Sequence, residues 1–446
     1  MVAYTDYKPA TLPDLGVIPS QWGERRMKTA FAESDVRSTT GDEEMLSVSH
    51  ITGVTPRSQK NVNMFLSESN IGQKICSPGD IVINTMWAWM AALGVSNYNG
   101  IVSPSYGVYR PKGQDYNPAY LDYLLRTEVY RAEYVRRSTG INLSRLRLYP
   151  DRFLSMHFVC PPRPEQDQIV RYLNWKVSQI NRLINSKRRQ IELLQEQKQA
   201  IINAAVMKGG EGWCEHQLAK IATITLSGLD KKSYEGQTPV LLCNYVDVYK
   251  NDIITSALDF MKATASEAEK ASLKLHLDDV VITKDSESWD DIGVPVYVAE
   301  EIDNLYCGYH LAIIRTNKEV LYGEYLAFTF QSQYIQIQHK VKAKGVTRFA
   351  LGYQPIHDTI VLVPPLDEQF AIVQEIKIRC QTQDSCITNI KEQIVLLAEF
   401  RARLISDVVT GKLDVRGVVV PDYEAVEETA EGEPTGEEDI GEGDDE

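Results

Sequence analysis

The chain has 446 residues, 43% of them hydrophobic and 24% charged, and a formal net charge of -14. That length suits two or three ordinary domains, each able to bury its own core, and no run of about 18 apolar residues exists to span a bilayer, so an integral membrane protein is excluded. Charge is spread unevenly: residues 421–446 hold 13 acidic residues and no Lys or Arg, which leaves the body of the chain nearly neutral and a polyanion partner neither favoured nor forbidden.

The first residues, Met1-Val2-Ala3-Tyr4-Thr5-Asp6, lack the basic opening and apolar core of a signal peptide, and the seven cysteines include no C-x-x-C pair. Both features point to a reducing cytoplasm without a structural zinc site. Residues 1–160 read as a first globule of mixed strands and helices. Its landmarks are Trp22-Gly23-Glu24, a short β-rich run Asp80-Ile81-Val82-Ile83, and Asn84-Thr85-Met86-Trp87-Ala88-Trp89 directly after it. Trp87 and Trp89, as alternate residues, are expected on one packed strand face. Asn117-Pro118-Ala119-Tyr120 reads as a turn into a helix, and Arg136-Arg137-Ser138-Thr139-Gly140-Ile141-Asn142 as a basic, glycine-centred loop without a carboxylate.

A long helix follows. Pro161-Pro162-Arg163-Pro164-Glu165-Gln166 opens a stretch, 165–208, that contains neither Gly nor Pro and ends at Gly209. Prolines cannot continue a preceding ladder, Glu165 suits the positive end of the helix dipole, and Gly209 supplies the stop. Residues 210–363 then repeat the plan of the first globule: Trp213-Cys214-Glu215, Asp279-Val280-Val281-Ile282, Thr283-Lys284-Asp285-Ser286, Tyr325-Leu326, and a second basic loop from Lys342 to Arg348 around Gly345. Pro364-Pro365-Leu366-Asp367-Glu368-Gln369 restates the earlier motif at an offset of 203, and 367–410 is a second Gly- and Pro-free stretch closed by Gly411.

Each stretch is roughly 65 Å long as a helix, far more than one globular core needs, so it requires a long partner. Apolar residues at alternating steps of three and four form a coiled-coil seam in the first, including Ile169, Leu173, Ile180, Ile184, Ile191 and Leu194. Adding the same offset gives the second seam, including Ile372, Ile376, Ile387, Ile390, Ile394 and Leu397. Parallel pairing would set Lys198 against Arg401 in an apolar interface. Antiparallel pairing separates them and brings Lys198 toward Glu375 and Arg379. The expected organisation is a first lobe (1–160), a helix (161–209), a second lobe (210–363), a second helix (364–412), and an acidic tail (413–446) too poor in apolar residues to order itself.

Two related α+β lobes joined by an antiparallel helix pair make a pseudo-two-fold object with a spacer, suited to reading two places at once. Duplex DNA has matching symmetry. With both P-P-x-x-E-Q copies, the helix ends Ala204-Ala205-Val206-Met207-Lys208-Gly209 and Thr410-Gly411-Lys412-Leu413-Asp414-Val415, and the entrance Leu15-Gly16-Val17-Ile18-Pro19-Ser20-Gln21-Trp22, the chain resembles the specificity (S) subunit of type I restriction-modification systems over nearly its whole length. The resemblance implies two target-recognition domains, each reading one half of an asymmetric bipartite site on double-stranded DNA. It also implies a non-catalytic role, with the helix pair setting the unread gap and docking two methyltransferase (M) subunits, and through them motor-nuclease (R) subunits. S-adenosylmethionine, ATP and Mg would belong to those partners, with no cofactor in this chain. The rival reading is a coiled-coil adaptor that binds only proteins.

DNA contacts call for Arg, Lys, Asn, Ser or Thr on loops that reach base edges and phosphates. The repeat-matched loops nominate Asn84, Thr85, Arg136, Arg137 and Asn142 in the first lobe, and Lys284, Ser286, Lys342, Lys344, Thr347 and Arg348 in the second. Arg37, Arg57 and Lys60 lie in a further polar stretch that could face DNA. Catalytic signals are discounted: Asn117-Pro118-Ala119-Tyr120 departs from the N-P-P-Y motif of adenine methyltransferases, no ATP-binding P-loop exists, and no His cluster has metal-ligand spacing. The recognised bases and the gap length are not encoded in any pattern the sequence displays.

Overall fold

The computed structural model describes residues 3–59, 70–142, 145–346 and 348–428. Two 44-residue helices dominate it, α1 (Arg163–Val206) and α2 (Leu366–Val409). Each begins behind a Pro-Pro pair with carboxylates in its first turn, and each is followed by a glycine in the left-handed region, Gly209 at φ +68° and Gly411 at φ +79°. Among the described residues the chain forms two compact units. Unit 1 combines the residues up to Arg188 with those from Glu392 onward, and unit 2 is Arg189–Lys391. Each long helix therefore gives one end to each unit, and the units divide within the helices rather than at their starts.

Unit 1 holds a four-stranded antiparallel sheet in the order Phe31–Glu33, Gly107–Pro111, Ile81–Ile83, Leu93–Val95. Ile81, Val82 and Ile83 are all buried, as a short continuous apolar run requires when both sheet faces are covered. Helices Pro118–Leu125 and Glu128–Arg137 carry Tyr120, Tyr130 and Tyr134 into the core. Unit 2 has a five-stranded mixed sheet in the order Ala222–Leu226, Leu311–Thr316, Val280–Thr283, Pro295–Val298, Ile253–Ile254, and a second core over the sheet of Met261–Ala265, Thr238–Cys243 and Leu305–Cys307. Both units are α+β. Asn117 caps the helix Pro118–Leu125 with its side chain, which accounts for the Asn-Pro-Ala-Tyr segment as a helix start.

The repeated motif has a physical explanation that recurs in each unit. Glu165 Oε1 accepts from Trp22 Nε1 at 3.0 Å and from the Tyr4 hydroxyl at 2.7 Å; Glu368 Oε2 accepts from Trp213 Nε1 at 3.0 Å. Gln166 donates to the Pro161 carbonyl and accepts from Asn117 N, each at 2.8 Å. Gln369 makes the same two bonds, to the Pro364 carbonyl and from Tyr322 N, each at 2.8 Å. Glutamate and glutamine thus latch each helix start to the entrance segment and to the start of a helix in its own lobe. The early aspartates match too: Arg110 grips Asp80, and Arg315 grips Asp279, each through two nitrogens. Trp87 and Trp89, expected on a strand face, instead cap and occupy the 3-10 turn Ala88–Met90, Trp87 at its N-cap and Trp89 within it. The chain turns there so that Asn84 N can reach the Ala92 carbonyl.

In unit 1 the helices run antiparallel: Asn181 on α1 accepts from Arg401 on α2 at 2.6 Å, and further along α1 Lys187 donates to Gln393, earlier on α2. Ile169, Leu173, Ile180 and Ile184 are buried there with Leu404 and Val408, while Ile394 and Leu397 are half-buried. In unit 2 Ile372 and Ile376 join Ile202 and Ala205 in one core, Ile387 is buried, and Ile191, Leu194 and Ile390 are half-buried. Lys198 does not meet Glu375 or Arg379, which pair with each other. It bridges Asp384 and Asp252, each at 3.0 Å, because these carboxylates flank its own turn of the helix pair.

The segment after α2 departs from expectation. Residues 413–428 were expected within an unstructured acidic tail, yet they form a strap along α1. Val415 is fully buried, Val418 and Val420 pack on the unit 1 core, and Gln168 donates to the carbonyls of Val415 and Val418. Ser178, Asn181 and Asn185 then donate to the carbonyls of Glu424, Val426 and Glu427, and Glu428 sits between Arg188 of α1 and Arg401 of α2. Composition described the side chains correctly; the order comes from backbone carbonyls captured by the helix. The tail beyond 428 lies outside the described residues.

Candidate nucleic-acid interface

In unit 2 the two loops nominated from sequence come together. Asp285–Ser286 pairs with Phe349–Ala350, which pairs with Lys344–Gly345, giving a small three-stranded antiparallel sheet. Leu351 N donates to the Lys284 carbonyl at 2.7 Å and completes the junction. The hairpin requires glycine at its turn: a Cβ on Gly345 would lie 1.7 Å from the Arg348 carbonyl oxygen. Lys344 and Arg348 are exposed and make no ion pair among the described residues; Lys342 is half-buried, and Val346 at the tip is 92% exposed. Thr347 lies outside the described residues, as does Lys60.

Unit 1 repeats this arrangement with a single bridge in place of the paired strands. Thr139 and Arg147 form an antiparallel bridge, Leu148 N donates to the Thr85 carbonyl at 3.0 Å, and a Cβ on Gly140 would lie 2.5 Å from the Arg145 carbonyl oxygen. Ile141 at the tip is 98% exposed, and Asn142 is exposed beside it. Two glycines at matched places each avoid a collision with the carbonyl of a matched arginine, so the two hairpins are versions of one element.

Several nominated residues make contacts within the protein. Arg136 and Arg137 are the last residues of the helix Glu128–Arg137, and both are tied to the buried Glu133, Arg136 also to Asp14 at 2.6 Å. The loop lacks a carboxylate, but the helix turn before it does not. Asn84 is buried, donating to the Tyr106 hydroxyl and accepting from Met86 N; Thr85 donates to the Ser105 carbonyl. Ser286 is buried and accepts from Ser288 N. Lys284 pairs with Asp285 at 2.8 Å and lies 5.1 Å over the Tyr309 ring, while His310 Nδ1 meets the same carboxylate oxygen at 2.7 Å. Burial pushes the Asp285 carboxyl up, but the hydrogen bonds from Lys284 and His310 outweigh it and hold it below its ordinary range. Arg37 pairs with Asp35, and Arg57 sits in a short 3-10 turn.

The structure also adds residues the sequence reading passed over. Arg145 and Arg147 are exposed on the unit 1 hairpin and make no ion pair among the described residues. The signal was available: Arg145 precedes Arg348 by the same 203 residues that relate the helices. Exposed, unneutralised Lys and Arg on hairpins suit a polyanion, since a cation already paired within the protein has less to offer a phosphate.

No family model matches the chain. The chain is 24% identical over 324 residues to the Escherichia coli (strain K12) type I restriction enzyme EcoKI specificity subunit, covering 68% of each protein. It shares its fold with a chain solved in a study of complex assembly and conformational transition of the type I R-M system, at 14% identity and a TM-score of 0.55, over 89% of this chain and 99% of that one. The HsdS subunit crystal structure from Thermoanaerobacter tengcongensis overlays at 16% identity and a TM-score of 0.37, over 89% of this chain and 98% of that one. The sequence is thus similar to that of a type I restriction enzyme specificity subunit, and the fold to that of a chain solved in a study of a type I R-M system.

Proposed function

We propose that this chain is the DNA sequence-specificity subunit of a type I restriction-modification complex, each lobe reading one half of an asymmetric bipartite site. The observation that carries this reading is the duplicated glycine-centred hairpin, joined in each unit to the loop after the central strand and exposing basic side chains that make no ion pair among the described residues. An adaptor that binds only proteins would not need that element twice. The chain itself would be non-catalytic, with adenine methylation and ATP-dependent cleavage supplied by M and R subunits that carry S-adenosylmethionine, ATP and Mg. Val395, Leu396 and Phe400 on α2 are 56%, 62% and 53% exposed, an apolar surface suited to docking M.

The test is to co-express the full chain with a type I methyltransferase partner and select bound duplexes from a randomised DNA library at defined salt. Enrichment of a two-part sequence with a fixed gap supports the reading; no sequence selection at low salt abandons it. Insertions at matched points of α1 and α2 should lengthen the selected gap, whereas an adaptor would show no such dependence.

A further inference from the structure

The backbone register of the unit 2 sheet sets Asp285 opposite Ala350, and Ala350 opposite Lys344. Directly opposed residues send their side chains to the same face about 5 Å apart, so the three form a row roughly 10 Å across, within a major groove about 12 Å wide. The alternate residues face the other way: Ser286 is buried and Phe349 packs on the core. Ala350 and Lys344 are exposed. In unit 1 the matched places are Met86, Arg147 and Thr139, joined by the Thr139–Arg147 bridge and by Arg147 Nη2 at 3.7 Å from Met86 Sδ.

We propose that these rows are the base-reading elements, Met86–Arg147–Thr139 for one half-site and Asp285–Ala350–Lys344 for the other. The proposal rests on the DNA-specificity reading and assigns it to named side chains. The decisive residue is Asp285. A carboxylate repels phosphate, so beside a basic, exposed hairpin the half-buried Asp285 suits a base edge, where it can accept from the exocyclic amine of cytosine or adenine. Its Oδ2 is occupied by Lys284 and His310, and its Oδ1 has no hydrogen-bond partner among the described residues. His310 holds this arrangement at φ +69°, a conformation rare for a non-glycine residue. Lys284 is accordingly a positioning residue. The neighbouring methyl of Ala350 suits the thymine methyl, and Lys344 the acceptors of guanine. Unit 1 offers a guanidinium, a hydroxyl and a thioether instead. Rows of different chemistry read different half-sites.

The experiment is the library selection above, repeated with Asp285→Asn, Lys344→Ala and Arg147→Ala in the full chain with its methyltransferase partner. Asp285→Asn and Lys344→Ala should each relax one half-site, losing about ten- to a hundred-fold of discrimination at a base position, and Arg147→Ala should relax only the other. Arg145→Ala and Arg348→Ala, at the hairpin turns, should weaken binding uniformly, as phosphate contacts do. An intact preference at the unaltered half-site reports a folded chain; should Asp285→Asn fail to fold, the exposed Lys344→Ala carries the test. Unchanged base preferences in the row variants, with affinity either kept or uniformly lowered, overturn the proposal. A wild-type complex that selects no sequence overturns the DNA reading itself, and the rows with it.

Discussion

At the scale of single residues, Glu165 shows how much of the molecule lies in a two-letter motif. Sequence placed it at a helix start, where a carboxylate favours the dipole, and that is where it stands; its hydrogen bonds to Trp22 and Tyr4 depend on segments more than 140 positions away and leave no local trace. Trp22 is fully buried, whereas Trp213 is half-exposed. Trp22→Phe should therefore cost about 1–3 kcal/mol, and Trp213→Phe less, in chemical denaturation followed by circular dichroism. His339 offers a pH test. Burial, with a smaller contribution from Lys342, pushes its imidazole down from 6.5 to about 4. The folded chain keeps it neutral while the unfolded chain takes up the proton, so its contribution is complete above pH 6.5 and is lost as pH falls toward 4. The acid-side loss is up to about 3 kcal/mol, and His339→Gln should reduce that slope in denaturant midpoints measured between pH 4 and 7; an identical slope would exclude His339 as its source.

Among the elements, the long helices were the most legible, because a repeat in register over tens of residues reflects the same geometry twice. The seam is not uniform in energy. Ile184 is fully buried beside the unit 1 core, whereas Ile191 is half-buried. Ile184→Ala should cost about 2–4 kcal/mol and Ile191→Ala clearly less, in thermal unfolding of the full chain; equal losses would mean the seam's middle is as well packed as its end. The hairpins were half legible. Glycine and basic charge marked them, but the reading took Arg136 and Arg137 for loop residues, although Glu133 stands three and four positions earlier, the spacing at which helical side chains pair. Strand pairing between Asp285–Ser286 and Phe349–Ala350 spans more than 60 residues, and no local pattern announces it.

For the whole molecule, the repeated architecture could be read from one offset, and the strap could not. Residues 421–428 look like the start of a solvated acidic run, and only the helix amides that receive them show otherwise. Four residues of extended chain from Glu424 to Glu428 cover about 13 Å, close to the roughly 15 Å that ten helical residues from Ser178 to Arg188 span, so the match can persist over this length. A chain ending at Glu428 keeps the strap contacts of the described residues and should unfold close to the temperature of the full chain; one ending at Lys412 loses the counter-charge of Arg401 and the buried Val415, and should unfold several degrees lower in calorimetry. Equal melting of the two truncations would show that the strap holds nothing.

The way the strap is held has an evolutionary consequence. The amides and hydroxyl of α1 grip carbonyl oxygens, which every residue owns, rather than the side chains of Glu424, Val426 and Glu427. Those positions are free to drift among related proteins so long as the path of the chain is kept, while Val415 and Glu428, gripped by what they are, are not. A family comparison that scores letters would see a decaying tail where a persistent piece of architecture remains.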